Sequence, residues 1–267
     1  MPTRSALSHF SLLCCGALLA MATAGTAVQA GAADSPATIQ QAAEQGDPRA
    51  QATLGEMYHS GNGVPRNSQE AAKWFRKAAE QGNSSAQFSL GLLYELGDGV
   101  PQNERQAAEW FRKAAEQGNS VAQSSLGRRY GEGDGVPQDW QESVNWFRKA
   151  AEQGDDLAQL TLGEMYENGE GVKKNEQEAA RWYSKAAEQN NAEAQYHLGL
   201  LYQQGKGVNK DLQQAYLWLT LAGNHPYQSE TFAPQVEAAI NALGNSLSPA
   251  QKSEVAKQVE SWRPGKP

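Results

Sequence analysis

From Gly46 onward the chain repeats one hydrophobic pattern every 36 residues. Leu54, Leu90, Leu126, Leu162 and Leu198 stand in register, each followed by a glycine and, three residues after that glycine, by a tyrosine (Tyr58, Tyr94, Tyr130, Tyr166, Tyr202). Pro48 to Ser60 reads as a first helix, helix A, that stops at Gly61. A second helix, helix B, follows with Ala71, Trp74, Phe75, Ala78 and Ala79 at helical spacing, which makes them its buried face. The link Gly61-Asn62-Gly63-Val64-Pro65-Arg66 keeps both glycines and the valine in all five copies, so the glycines predict positive φ and the valine an apolar anchor.

The helix ends are written with equal regularity. Asp47, Asn83, Asn119, Asp155 and Asn191 are N-cap candidates for helix A, each after a glycine or, at Asn190, an asparagine suited to a left-handed helix end. Helix B opens with Asn67, Asn103, Asp139, Asn175 or Asp211, and Glu or Gln comes three residues later, the capping-box spacing. A fixed period of this length marks stacked repeats, each a helical hairpin that buries its apolar face only against its neighbours.

The expected fold is all-α: a right-handed α/α solenoid of about five 36-residue helix-turn-helix repeats, with an N-terminal half-repeat and a C-terminal helical cap. The expected boundaries are a half-repeat over 31–46, repeats over 47–82, 83–118, 119–154, 155–190 and 191–223, a cap over 224–262 and a tail over 263–267. Ser35 and Pro36 begin the half-repeat as N-cap and first helical residue. In the fifth copy Leu217 and Leu221 replace polar residues of the earlier copies, which predicts that the segments from Glu230 to Leu243 and Pro249 to Trp262 cover them.

The first thirty residues differ in kind. Arg4, the apolar run from Phe10 to Ala22 and Ala-Val-Gln-Ala at 27–30 describe a secretory signal peptide cleaved after Ala30, which predicts a periplasmic or secreted protein. The alternatives are a retained anchor, for which the run is short of the ~20 apolar residues of a span, and a lipoprotein acylated at Cys15. Both cysteines, Cys14 and Cys15, lie in this segment, so the cleaved chain has no thiol for a disulfide, a nucleophile or a metal site. With a formal charge of −7 the chain lacks the basic balance of a nucleic-acid partner.

A search for chemistry returns little. His59, His197 and His225 occupy unrelated repeat positions, no H-E-x-x-H, G-x-S-x-G or S-x-x-K occurs, and recurring acids such as Glu80 and Glu116 sit where helix electrostatics account for them. A carboxylate pair for acid–base work is not separable from a solvated face at this level. The expectation is a chain with no catalytic residue, no cofactor, no metal and no membrane span once the signal is removed.

The pattern A-x-A-x-x-x-L-G-x-x-Y-x-x-G-x-G-V, followed by the helix ending W-F-x-K-A-A-E-x-G, resembles the Sel-1-like repeat, a relative of the tetratricopeptide repeat. It is legible at Leu54-Gly55, Tyr58, Gly61, Gly63-Val64, Ala71, Trp74-Phe75 and Lys77 to Gly82, and in each later copy. The resemblance implies a scaffold or adaptor of the bacterial cell envelope whose first helices line a concave groove that takes a protein or peptide. A cysteine-rich branch of the family binds or hydrolyses β-lactams, but it carries a disulfide in each repeat; a cell-wall or β-lactam-like ligand is therefore the alternative function. Ser143-Val144, Asn190 and Arg129 depart from the pattern.

The positions that vary between copies lie on one stripe of helix A by their three and four spacing. Position 52 reads Ala52, Phe88, Ser124, Leu160 and Tyr196; position 56 reads Glu56, Leu92, Arg128, Glu164 and Leu200. The candidate partner-binding residues are accordingly Arg49, Glu56, Phe88, Leu92, Arg128, Leu160, Glu164, Tyr196 and Leu200. The competing reading makes Phe88, Leu92 and Leu160 padding between helices.

Overall fold

The computed structural model describes residues 35–225 and 232–265. The signal peptide, its cleavage point and both cysteines lie outside the described residues. Thirteen helices and no strand occur among the described residues. The fold is an α/α solenoid of tandem hairpins. Helix α1 (Pro36–Glu44) precedes five A/B pairs: α2 (Pro48–Ser60) with α3 (Ser68–Glu80), α4 (Ser84–Leu96) with α5 (Glu104–Glu116), α6 (Ser120–Glu132) with α7 (Trp140–Glu152), α8 (Asp156–Asn168) with α9 (Glu176–Glu188), and α10 (Ala192–Gln204) with α11 (Leu212–Gly223). Helices α12 (Ala233–Gly244) and α13 (Pro249–Ser261) follow. The chain divides into two compact units, residues 1–150 and 151–267.

In the first unit consecutive helices from α1 to α6 pack on one another. Leu54, Leu90 and Leu126 are fully buried, as are the alanines at 71, 78, 107 and 114. Close approach explains the invariant glycine of helix A: a Cβ on Gly91 would stand 2.8 Å from the Phe111 ring. The link after helix A is tighter still. Gly99 has φ +73, and a Cβ there would lie 2.1 Å from the Ser68 carbonyl oxygen of the preceding repeat.

Side-chain caps hold both ends of the hairpin. Asn67 accepts from the backbone N–H groups of Gln69 and Glu70 at 3.1 Å each. The reciprocal half of the capping box, Glu70 to the Asn67 amide, does not form, because Asn67 N–H already donates to the Tyr58 carbonyl at 2.8 Å. Glu70 instead accepts from Lys73 at 2.6 Å. The same tyrosine carbonyl takes the helix B N-cap amide in every copy, at 2.7 to 3.0 Å. The cap residue type follows from the side-chain bond to the first turn, and the acid three residues on pairs with a cation of the next turn at Glu70–Lys73 and Glu178–Arg181. Between repeats the backbone closes by Gly82 N–H to Ala79 and Asn83 N–H to Ala78, with Gly82 at φ +87. Asn190 takes the same left-handed role at φ 71.

In the second unit α8 to α11 pack consecutively, and α11 meets both α12 and α13. Leu217 and Leu221 are buried in a cluster that includes Val255, with Val259 and Trp262 packed against it. Trp218 and Trp262 meet edge to face at 5.2 Å. These contacts account for the apolar residues of the fifth helix B. Beyond α13, Gly265 N–H donates to the Glu188 carbonyl at 2.9 Å.

Candidate partner-binding face

Helix A of each repeat carries the variable positions, and buried glutamines tie its first turn to the neighbouring helices. Gln51 donates to the Ala43 carbonyl at 3.1 Å and accepts from Gln81 at 2.7 Å; Gln87 does the same with Ala79 at 3.0 Å and Gln117 at 2.7 Å. In the second unit Gln159 bonds Ala151 at 3.0 Å and Gln189 at 2.8 Å. Helix A is thereby fixed to the helix before it and to the end of its own partner.

On the first unit the stripe is mixed. Arg49 and Glu56 are exposed, Phe88 and Leu92 half-buried, and Arg128 buried. Phe88 meets Phe111 at 5.6 Å between centroids, so part of its surface serves packing. Leu96, one turn beyond Leu92 on α4, is 48% exposed and is the one exposed large hydrophobic among the described residues. Glu56 reaches solvent yet stands against enough protein that desolvation raises its carboxyl above the usual range. His59 and Arg66 both face Asp98, at 3.3 and 3.7 Å.

Arg128 and Arg129 form a network at the end of α6. Arg128 pairs with Glu95 of α4 and with Glu132 at 2.7 Å; Arg129, fully buried, reaches Glu95 at 3.0 Å and Glu104 at 2.6 Å. Burial opposes the charge of Arg128, but Glu95 and Glu132 outweigh it and hold the guanidinium above its usual pKa. The Arg129 guanidinium also lies 5.1 Å from the Phe111 ring centre. Arg129 thus fills the site of Met57 and Leu93 in the other copies of this unit by stacking with its carbon and nitrogen plane, while its Nη atoms face two carboxylates.

On the second unit Leu160 and Glu164 are buried, and Tyr196 and Leu200 are half-buried. Tyr196 packs edge to face on Phe232 at 5.5 Å. Burial first, then Glu193, Glu167 and Glu170, push the Glu164 carboxyl well above the usual carboxylate range. His197 stands between carboxylates, with Nε2 4.0 Å from Glu164 and Nδ1 3.7 Å from Glu167. Its ring stacks on Tyr183 at 4.9 Å, and the Tyr183 hydroxyl donates to Glu167 at 2.8 Å. Burial, followed by Glu167 and Glu164, raises the Tyr183 hydroxyl well above its usual range.

This cluster brings together two carboxyls, an imidazole and a phenol that scattered positions in the sequence conceal. Its signal is nevertheless present: the position of His197 holds Thr53, Ser89, Ser125 and Thr161 in the other copies, and Tyr183 replaces a phenylalanine. Leu96 was missed for the same reason, since its position reads Ser60, Glu132, Asn168 and Gln204 elsewhere. No group of three or more His, Cys, Asp or Glu among the described residues is arranged to hold a metal ion. Of the sequence-selected residues, Arg49, Glu56 and Leu92 share the accessible part of the stripe in the first unit, and Tyr196 and Leu200 in the second. Arg128, Leu160 and Glu164 are held inside it.

Comparison with known proteins follows the same register. The Sel1 repeat family model matches residues 48–83, 84–119, 120–155, 156–191 and 192–226. A Sel1 repeat protein from Oxalobacter formigenes is 33% identical with a TM-score of 0.71, over 85% of this chain and 98% of that one. The c5321 protective antigen of uropathogenic Escherichia coli, which displays an SLR fold, is 38% identical with a TM-score of 0.69, over 79% of this chain and 49% of that one. The chain spans about half the length of that antigen. No curated protein matches the chain. Five tandem matches in the register of the helical hairpins, with a solved relative alike over nearly its whole length, show that the chain belongs to the Sel1 repeat family.

Proposed function

We propose that this protein is a non-catalytic interaction scaffold of the bacterial cell envelope that takes a protein or peptide along the helix A face of its repeats. Sel1 repeat proteins are generally protein-interaction scaffolds. The observation that carries the reading here is the accessible, copy-specific set Glu56, Leu92 and Leu96 on helices whose repeated positions, Leu54 and Gly55 or Leu90 and Gly91, are buried. Apolar residues gathered on one surface mark interaction sites more often than isolated ones do. The N-terminal segment supports a periplasmic or secreted location after cleavage at Ala30. No helix of the described residues is long and apolar enough to cross a membrane. Regulation of a membrane partner is one form of this role. Affinity capture with the purified chain from envelope and cytoplasmic fractions tests it: one envelope protein, enriched over a Leu92→Ser, Leu96→Ser control, is expected, and equal recovery on the control contradicts the reading.

The second reading, a cell-wall or β-lactam-like ligand or substrate, draws on the Glu164, Glu167, His197 and Tyr183 cluster. A turnover assay with a chromogenic β-lactam and with peptidoglycan fragments separates the two. Turnover that Glu164→Gln and His197→Ala both abolish would favour it.

A further inference from the structure

We infer that the helix A face of the first two repeats takes a segment of its partner that sets an apolar side chain beside a lysine or arginine. The inference rests on the scaffold reading and gives its partner a chemistry. Leu92 and Leu96 are one turn apart on α4, so they share a face. Leu96 is 48% exposed, and Leu92 packs one side against the core while remaining half-exposed, so the two leave an apolar edge open on a helix whose other leucines, Leu90 and Leu93, are buried. Glu56 holds on α2 the position that Leu92 holds on α4, and these two helices are in contact. It makes no ion pair among the described residues, although the protein around it already takes water from its carboxylate.

Charge around this edge disfavours the opposite partner. The basic groups at this end of the helices are paired: His59 and Arg66 at Asp98, Arg128 at Glu95 and Glu132, Arg129 at Glu95 and Glu104. Asp134 adds a further carboxylate 3.8 Å from Arg128. Arg49 lies on the same stripe, but seven residues of helix separate it from Glu56 by about 10 Å, so it leaves that carboxylate uncompensated. An acidic segment would meet carboxylates around the edge, whereas a cation would find the unpaired Glu56 carboxylate. An unpaired carboxylate at the register position of Leu92 on the neighbouring helix therefore selects an apolar–basic sequence over an apolar–acidic one.

The test uses the purified full chain and fluorescein-labelled short peptides of alternating Leu and Lys, Leu and Glu, or Ser and Lys, read by anisotropy. The Leu/Lys peptide is expected to bind best. Glu56→Gln should weaken it by about fivefold and Leu96→Ser by about tenfold, while Glu80→Gln on the exposed side of α3 leaves it unchanged. Salt should weaken the wild type and spare most of the affinity of Glu56→Gln. Equal binding of the Leu/Glu peptide, no binding of the Leu/Lys peptide, or unchanged affinity in both variants overturns the inference. The scaffold reading fails by a different result, namely when a partner captured from envelope material binds undiminished to the Leu92→Ser, Leu96→Ser double variant. A partner lost by that double variant but indifferent to Glu56→Gln keeps the face and removes the basic chemistry.

Discussion

Gln81 donates its side-chain amide to the Gln51 amide oxygen at 2.7 Å, while Gln51 donates its own amide to the Ala43 carbonyl. One buried glutamine therefore ties three consecutive helices, and its counterpart Gln87 ties α3, α4 and α5 through Ala79 and Gln117. Gln87→Leu would remove one of the bonds to the Ala79 carbonyl, which keeps Gly82 N–H, and would release the exposed Gln117 amide to solvent. A loss of about 0.5 to 1.5 kcal/mol in urea unfolding is expected, and a Leu variant as stable as wild type would show that the array is incidental.

The arginine pair on α6 predicts an asymmetry. Arg129→Met restores the residue type found in register at Met57 and removes a fully buried charge, so stability should change by less than about 1 kcal/mol or rise. Glu95→Ala instead leaves Arg128 and Arg129 each short of a carboxylate they both face. Because Glu95 is about a fifth exposed and Glu132 and Glu104 remain, a cost of about 2 to 3 kcal/mol is expected, at the lower edge of buried pairs. Thermal unfolding of the two variants side by side checks the order.

Glu164 predicts a pH dependence. Its folded-state pKa is raised by burial, so the native state holds this proton at a pH where the unfolded chain has released it. The carboxyl is compatible with full stability below the unfolded value of about 4.3, and stability falls as pH rises towards and through the folded value. Glu164→Gln removes the titration. Its advantage over wild type should be small at acidic pH and grow towards neutrality in denaturant unfolding across a pH series; a constant difference would contradict the burial of this group.

Glycines that look alike in the repeat should behave differently. Gly99→Ala places a Cβ 2.1 Å from the Ser68 carbonyl oxygen and must displace backbone. Gly118 has φ +89 but open space around it, so Gly118→Ala costs only the left-handed conformation, about 1 to 2 kcal/mol. Melting temperatures should fall far more for Gly99→Ala.

The repeat register made the hairpins, their caps and their buried alanines legible, because stacking repeats the same contact and so the same residue. Tyr58, Trp74 and Val64 could be placed from comparison of copies alone. What stayed hidden were contacts made once. Gln51 and Gln81 recur in every early copy, yet nothing in their spacing says that residues thirty apart face each other. The bond from Asn67 N–H to the Tyr58 carbonyl likewise has no side-chain signature. On the stripe, the helical spacing groups Arg49, Glu56 and Leu92 on one expected face, but depth depends on neighbours: Arg128 and Glu164 share a repeat position with Leu92 and are buried, with Glu95 of the preceding copy beside Arg128 and His197 of the following copy beside Glu164. His197 was passed over because its meaning lies in Glu164, Glu167 and Tyr183, on two other helices.

The central claim is that partners engage helix A and not helix B. A photo-crosslinking residue placed singly at Leu92 and Leu200 on helices A, and at Lys73 and Arg181 on exposed sites of helices B, tests it in the producing cell. Crosslinks to one partner from positions 92 or 200, with none from 73 or 181, are the predicted result; a partner crosslinked from 73 or 181 and absent at 92 and 200 would contradict it.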